Sequence, residues 1–168
     1  MTSVRLGGRD EVPALLAMFD EAVAWLADRG SQDQWGALPW SQDPARVDGV
    51  RGLLDAGDLW IAEVDGAVAG ATVLGERPPE HVPAAGEPEL YVRLLLTSRR
   101  LAGRGIGAAL LEQARAQARR LGVALLRVDC WGGGDRKLVD YYVRAGFTPT
   151  ETFEHRGWPG QVLEQRLV

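Results

Sequence analysis

Three glycines at alternate positions mark a segment of the chain that could bind an anion. Gly103, Gly105 and Gly107 follow an apolar run at residues 90–96 and open a strongly helical stretch. Glycine lets the backbone approach a ligand closely and turn without steric cost. The first N–H groups of a helix have no intrahelical acceptor and lie at the positive end of its dipole. A strand, a glycine turn and a helix start in this order predict a phosphate site, which would suit the pyrophosphate of an acyl-CoA or of a dinucleotide.

The dinucleotide interpretation rests on two features. Residues 103–108 read Gly-Arg-Gly-Ile-Gly-Ala, which satisfies G-x-G-x-x-A, and Asp129 ends the next predicted strand, where the acid that binds a ribose would lie. The order of the elements argues against it. This fingerprint normally opens its fold, whereas here it lies past the midpoint of the 168 residues and follows a predicted antiparallel hairpin. The acyl-CoA interpretation is favoured on this ground.

Composition and charge narrow the class of protein further. The net charge is −4 and no basic run extends beyond Arg99-Arg100, so nucleic acid is not an expected partner. No apolar stretch approaches the roughly 20 residues that span a bilayer, so we expect no membrane partner. Cys130 is the single cysteine, which excludes an internal disulfide and favours a cytoplasmic location. With only His81 and His155 beside it, no metal site is expected.

The first half of the chain predicts two helices and a hairpin ahead of the glycine segment. A short strand at residues 3–6 leads into a helix capped by Asp10, and a second helix spans residues 44–55. Asp65-Gly66 joins predicted strands at 59–64 and 68–74, and this dipeptide is a strong signal of a hairpin. A proline-rich loop at 77–88 follows.

The second half predicts strands and helices in alternation. A strand at 89–97 precedes the glycines, and a strand at 123–129, a helix at 135–145 and closing strands at 147–153 and 161–167 complete the chain. The helix after the glycines places these apolar residues on one face: Ile106, Leu110, Leu111, Ala114, Ala118 and Leu121. With 46% hydrophobic residues, the chain predicts one domain over residues 1–168, of mixed α/β class, with about seven strands and helices on both faces of the sheet.

Two strings in the second half resemble the GNAT superfamily of acyl-CoA-dependent N-acetyltransferases. Residues 102–107, running into Ala109-Leu110-Leu111, are similar to the family's Q/R-x-x-G-x-G/A motif. Tyr141-Tyr142 before Gly146-Phe147 is similar to a second family motif, a Leu-Tyr or Tyr-Tyr pair ahead of Gly-Phe. One predicted strand and one predicted helix separate the two strings, as the resemblance requires. The chain departs from the family at Ala102, where Gln or Arg is usual, and at Asp135, where Asn is frequent.

The resemblance implies an N-acetyltransferase that uses acetyl-CoA as co-substrate and lets an amine attack the thioester directly in a ternary complex. Backbone at the end of the strand would hold the pantetheine arm, and amides of the glycine loop would bind the pyrophosphate. Tyr142 would donate a proton to the leaving sulfur. The implied cofactor-binding residues are Leu95, Leu96, Thr97, Ala102, Gly103, Arg104, Gly105, Ile106, Gly107, Ala108 and Asp135.

The general base and the acceptor are less well defined by the sequence. Glu89 is the first choice of base, with Glu76, Tyr91, Asp129 or a water chain as alternatives, and Glu89 could instead be a solvated carboxylate.

Trp35 and Trp40 lie between the first two predicted helices, where the resemblance places the acceptor, so they would line its pocket or else pack in the core. The expected acceptor is the amine of a small molecule or peptide, and the protein is expected to be a monomer or homodimer. A non-catalytic acyl-CoA-binding domain of the same fold is the alternative.

Overall fold

The computed structural model of the protein describes residues 1–167. It contains seven β-strands and five α-helices, together with three single turns of 3₁₀-helix. The strands are β1 Thr2–Leu6, β2 Asp58–Val64, β3 Ala67–Gly75, β4 Glu89–Thr97, β5 Leu125–Trp131, β6 Thr148–His155 and β7 Trp158–Arg166. The helices are α1 Val12–Asp28, α2 Gln32–Trp35, α3 Pro44–Ala56, α4 Ile106–Arg120 and α5 Lys137–Arg144. No helix within residues 1–167 is long and apolar enough to cross a membrane.

The strands form one mixed sheet in the order β1-β2-β3-β4-β5-β7-β6. The pairs β1–β2, β2–β3, β5–β7 and β6–β7 are antiparallel, and β4 runs parallel to β5. The predicted mixed α/β class is therefore confirmed. By its internal contacts the chain divides into a first unit, residues 1–74 and 94–113, and a second unit, residues 75–93 and those from 114 onward.

In the first unit, helices cover both faces of the sheet. Successive side chains of a strand point to opposite faces. Residues of β2 therefore belong to two hydrophobic clusters, one on each face of the sheet. Leu59 and Ile61 pack with residues of α1 and α3, whereas Ala62 and Val64 pack with the start of α4. The hairpin between β2 and β3 turns at Asp65-Gly66, as predicted, with positive φ at both residues.

The second unit is organised around β5. Residues 125–131 pair with β7 along the whole strand, and residues 125–128 pair with the start of β4. The short helix α5 buries Val139 and Tyr142. Tyr91, Val82 and Val162 form a separate small cluster with the half-buried Phe153.

Several predicted details of the elements are wrong. Asp10 does not cap α1, because it lies in a 3₁₀ turn and the helix begins only at Val12. Leu121 is 42% exposed, since α4 ends one residue before it. The strand predicted at 123–129 lies two residues later, because Val123 still donates its N–H to Ala118 in the turn that ends α4. The last hairpin turns at Arg156-Gly157, so β7 already begins at Trp158.

Gly70 on β3 sets how closely α4 packs on the sheet in the first unit. A Cβ atom at this position would lie 2.8 Å from Ile106 Cγ2, 2.9 Å from the carbonyl oxygen of Leu96 and 3.1 Å from Leu110 Cδ1. No side chain fits in that space without moving the helix or the neighbouring backbone. The absence of a side chain at Gly70 thus fixes the position of the first turn of α4.

We expect Gly70→Ala to lower the free energy of unfolding by about 1–3 kcal/mol, because the added methyl overpacks the contact with α4. Chemical denaturation measures the change. Gly52→Ala is the matched control, since a Cβ there meets nothing within 4 Å and alanine is the better helix former, so that variant should be as stable as the parent or slightly more stable. Equal stabilities for the two variants would show that α4 does not rest on Gly70.

Candidate active site

The glycine loop ahead of α4 is held open in the structure. Gly103 and Gly105 have φ of +82° and +72°, values that residues with a Cβ rarely adopt. A Cβ at either position would meet nothing within 4 Å, and residues 102–105 are exposed. Glycine is therefore required here by the backbone conformation and not by crowding. The space in front of the loop is free for a ligand.

The start of α4 faces its N–H groups toward this loop. Ala109 donates its N–H to the carbonyl oxygen of Gly105 at 3.0 Å, which closes the first turn. The N–H groups before Ala109 belong to the turn in which a helix offers no internal acceptor. Positive-φ glycines followed by such a turn make a cradle for an anion. The residues present here fit a pyrophosphate.

Helix α1 anchors the chain as it enters the loop. Glu21 accepts a hydrogen bond from Ser98 Oγ at 3.1 Å and lies 3.5 Å from the guanidinium of Arg100. The Arg99 guanidinium lies over the ring of Trp25, 3.8 Å from its centre. These contacts tie the segment before the glycines to a long helix and leave Arg104 exposed.

The end of β4 carries the residues predicted to hold the pantetheine arm. Leu96 is buried, while Leu95 and Thr97 are half-buried. The carbonyl of Leu94 accepts a hydrogen bond from Thr72 Oγ1 at 2.7 Å, and Ser98 donates its N–H to Ala69 at 2.8 Å. The backbone on either side of residues 95–97 is thus fixed against β3.

Tyr142 is buried in the second unit on the inner side of α5. Its ring meets those of Tyr141 and Phe147 edge to face, at centroid distances of 5.2 and 5.8 Å. Burial, and to a lesser degree Cys130, raises the pKa of the Tyr142 phenol. The hydroxyl is therefore protonated at neutral pH and can donate. Burial also raises the pKa of Cys130 to about 12, so this thiol is not a nucleophile at neutral pH.

Glu89 lies in a buried ion pair and is not solvated. It is 5% exposed, its Oε1 accepts from Arg127 Nη1 at 2.9 Å, and its Oε2 accepts from the N–H of Ala85 at 2.8 Å. The other guanidinium nitrogen of Arg127 donates to Glu151 at 3.0 Å. Both oxygens of Glu89 are occupied by donors that hold a loop and a strand in place. Its role as general base stays a prediction that this geometry does not favour.

Trp35 and Trp40 pack against α1. The ring of Trp40 is stacked on Phe19 with centroids 4.2 Å apart, and Trp35 lies 5.3 Å from the same ring. Trp40 Nε1 also donates to the carbonyl of Trp35 at 3.1 Å. Both tryptophans are half-buried members of the core of the first unit. Their lining of an acceptor pocket stays a prediction.

Asp135 precedes α5, although the helix begins later than predicted. Its carboxylate accepts the N–H of Lys137, the first residue of the helix, at 3.1 Å. Arg136, with a φ of +60°, occupies the capping position itself.

A second pair of side chains, on β4 and β5, was missed as a pair by the sequence reasoning. Tyr91 donates its hydroxyl to Asp129 Oδ2 at 2.6 Å, across 38 residues of sequence. Burial raises the pKa of Asp129, against the opposing effect of the Tyr91 hydrogen bond and of nearby cations. The parallel register of β4 and β5 brings these two residues together, and nothing in their separation along the chain signals it.

Comparison with known proteins identifies the family of the chain. The model of the acetyltransferase (GNAT) family matches residues 19–147. The chain belongs to the GNAT acetyltransferase family. Members of this family use acetyl-CoA and act on amine acceptors. The predicted family is therefore confirmed.

One relative and two solved structures illustrate the similarity. The N-acetyltransferase YesJ of Bacillus subtilis (strain 168) is 27% identical over 143 residues, which cover 82% of this chain and 77% of YesJ. A GNAT acetyltransferase from Listeria monocytogenes has a similar fold, with a TM-score of 0.73, 20% identity and coverage of 99% of this chain and 95% of that one. The acetyltransferase yncA of Salmonella typhimurium, solved with acetyl-CoA, has a TM-score of 0.65 and 16% identity, with 99% and 94% covered.

The ion pair of Glu89 and Arg127 gives a prediction about stability. Arg127→Met should lower the free energy of unfolding by about 3–5 kcal/mol, because it leaves a buried carboxylate without its counterion. Denaturant titration measures it. Arg166→Met is the control, since Arg166 pairs with Glu87 on the surface, where ion pairs contribute little. A parent-like stability of Arg127→Met would return Glu89 to consideration as a free base.

Proposed function

We propose that this protein transfers the acetyl group of acetyl-CoA to the amine of a small molecule or peptide, by direct attack in a ternary complex. The observation that carries the proposal is the exposed loop in which Gly103 and Gly105 hold positive φ in open space at the start of α4. Family membership supplies the reaction class, and this loop supplies an anion cradle where the family's motif occurs.

The loop amides at residues 103–108 bind the pyrophosphate, and the backbone at residues 95–97 pairs with the pantetheine arm. Ala102 cannot provide the side-chain contact that Gln or Arg provides in the family motif. Arg104 is exposed in the same loop, whereas Arg100 is already paired with Glu21. Arg104 therefore replaces the missing contact to the phosphates.

Tyr142 supplies the proton for the leaving group. The neutral amine forms a bond to the thioester carbonyl carbon, the carbon–sulfur bond breaks, and the sulfur takes the proton of the Tyr142 hydroxyl. The tyrosinate is reprotonated by the proton that the new amide nitrogen loses. Because burial raises its pKa, the Tyr142 phenol stays protonated until sulfur charge develops.

Gly105→Val tests the phosphate loop. The branched side chain at a positive φ should block the ligand and weaken binding of CoA at least tenfold, and the increase in melting temperature that acetyl-CoA gives the parent should be largely lost. Gly30→Val is the matched control, with a φ of +73° and equally open space at the end of α1. It carries the same backbone strain and should bind CoA like the parent. Unchanged CoA affinity in folded Gly105→Val would place the phosphate site elsewhere.

Tyr142→Phe tests the proton donor. We expect kcat to fall by about a hundredfold, within the range for loss of a general acid, with the Kd for acetyl-CoA within a few-fold of the parent. Single-turnover acetyl transfer at saturating amine is the measurement. Tyr141→Phe removes the neighbouring hydroxyl and should leave the rate intact. Parent-like rates in both variants would leave Tyr142 as a packing residue, and CoA binding without transfer to any amine would favour a non-catalytic acyl-CoA-binding domain.

A further inference from the structure

One face of the sheet in the second unit carries a row of partly exposed rings. Trp131 on β5 and Phe153 on β6 are both in register with Gly160 on β7, and His155 is in register with Trp158. Residues two apart on a strand share a face, so the row also includes the position of Asp129 on β5. We call these residues the aromatic strip: His81, Trp131, Phe153, His155 and Trp158.

Direct ring contacts hold the aromatic strip together. Trp131 meets Trp158 edge to face at 5.5 Å, Trp158 lies 6.2 Å from Phe153, and His81 is 5.0 Å from Phe153. His81 and His155 are stacked at 4.1 Å. Gly160 leaves room for the row, since a Cβ there would lie 2.1 Å from the ring of Phe153. The strip is a continuous surface of three apolar rings and two imidazoles that remains accessible, because His81 is exposed and the other four rings are only partly buried.

Asp129 lies on the same face and is incompletely paired. Its Oδ2 accepts the Tyr91 hydroxyl, while within residues 1–167 no donor reaches its Oδ1. Three titratable groups act on it: His81, Arg93 and Arg127. Arg127 donates to Glu89 and Glu151, and Arg93 donates to the carbonyl of Arg77 at 3.2 Å. Burial lowers the pKa of His81, so its imidazole is neutral at neutral pH and supplies no full positive charge. A carboxylate largely removed from water with one hydrogen bond is costly unless a cation completes it. Asp129 is only partly buried, so a cationic ligand can reach its Oδ1 and complete the pairing.

We infer that the acceptor is a primary amine attached to an aromatic or other flat apolar group, which lies on the aromatic strip with its ammonium against Asp129 Oδ1. The inference rests on the proposed function. Asp129 is then the base: one N–H bond of the ammonium breaks, Oδ1 gains the proton, and the nitrogen keeps the electron pair with which it attacks the thioester. Tyr91 positions Asp129 by holding its other oxygen. Rings also favour an ammonium placed over their faces.

Binding of two amines that differ only in the ring tests this assignment. 2-Phenylethylamine and ethylamine are titrated at neutral pH into the protein by calorimetry, with and without CoA. The parent should bind 2-phenylethylammonium at least tenfold more tightly than ethylammonium. Asp129→Asn should weaken the binding of 2-phenylethylammonium at least tenfold. Trp158→Leu should reduce the ratio of the affinity for 2-phenylethylammonium to the affinity for ethylammonium. Asp140→Asn, an exposed carboxylate on α5, is the matched control and should bind like the parent.

The outcomes separate this inference from the proposed function. Equal affinities of the parent for the two amines, or an unchanged affinity in Asp129→Asn, overturn the inference whether or not CoA binds. Failure of CoA to bind overturns the proposed function and, with it, the role of Asp129 as base, whereas the amine titrations without CoA still decide whether the aromatic strip and Asp129 bind an aromatic ammonium. A second readout is the pH dependence of transfer: Asp129→Asn should be slowed at least a hundredfold at neutral pH, and its residual rate should rise about tenfold per pH unit toward the pKa of the amine. A merely structural role would lower the rate equally at every pH.

Discussion

The close packing of α4 on Gly70 is the constraint on which the glycine loop depends. The first turn of the helix lies so near β3 that no Cβ fits between them, and this fixes where the helix begins. The chain must then pass from the end of β4 to that point in a few residues. Positive φ at Gly103 and Gly105 accomplishes the turn, and residues 102–105 remain exposed. Packing inside the first unit thus determines the shape of an exposed loop.

Two carboxylates in the second unit show how hydrogen-bond partners determine whether a carboxylate can act as a base. Glu89 lies on β4 and Asp129 lies on β5. From the sequence alone, Glu89 is the better candidate for the general base. The structure gives Glu89 a guanidinium and a backbone N–H, one for each oxygen. It gives Asp129 a phenol on one side only. A carboxylate whose lone pairs are already used stabilises its surroundings, whereas one with a vacant oxygen and a raised pKa can take a proton.

The sequence predicted most of the fold because local signals agreed with the tertiary structure. The strand at 89–97, the hairpin at Asp65-Gly66 and the helix after the glycines all have the residue types that those structures require. The predictions were wrong where the role of a side chain depends on neighbours that the sequence does not show. Asp10 is of a residue type that caps helices, but α1 begins only at Val12. Leu121 has the spacing of a core residue, but α4 ends at Arg120.

The site was predictable only where it is local. The glycine loop lies in one stretch of backbone, so its pattern shows in the sequence. The ion pair of Glu89 with Arg127 and the hydrogen bond of Tyr91 with Asp129 each join residues 38 apart, and they depend on the register of parallel strands. The stacking of Trp40 on Phe19 likewise depends on how a loop folds back on α1. Such contacts have no signature in residue spacing.

The state of Cys130 makes the proposed transfer from acetyl-CoA easy to follow. Free CoA carries a thiol, and thiol-reactive dyes detect it as it forms. The protein's own single cysteine is buried, and with a pKa of about 12 it stays protonated at the neutral pH of such measurements. The folded protein therefore contributes almost no background to a dye signal. The same property allows one cysteine placed on the surface to be labelled selectively, so that movements of the glycine loop can be recorded without first removing the natural thiol.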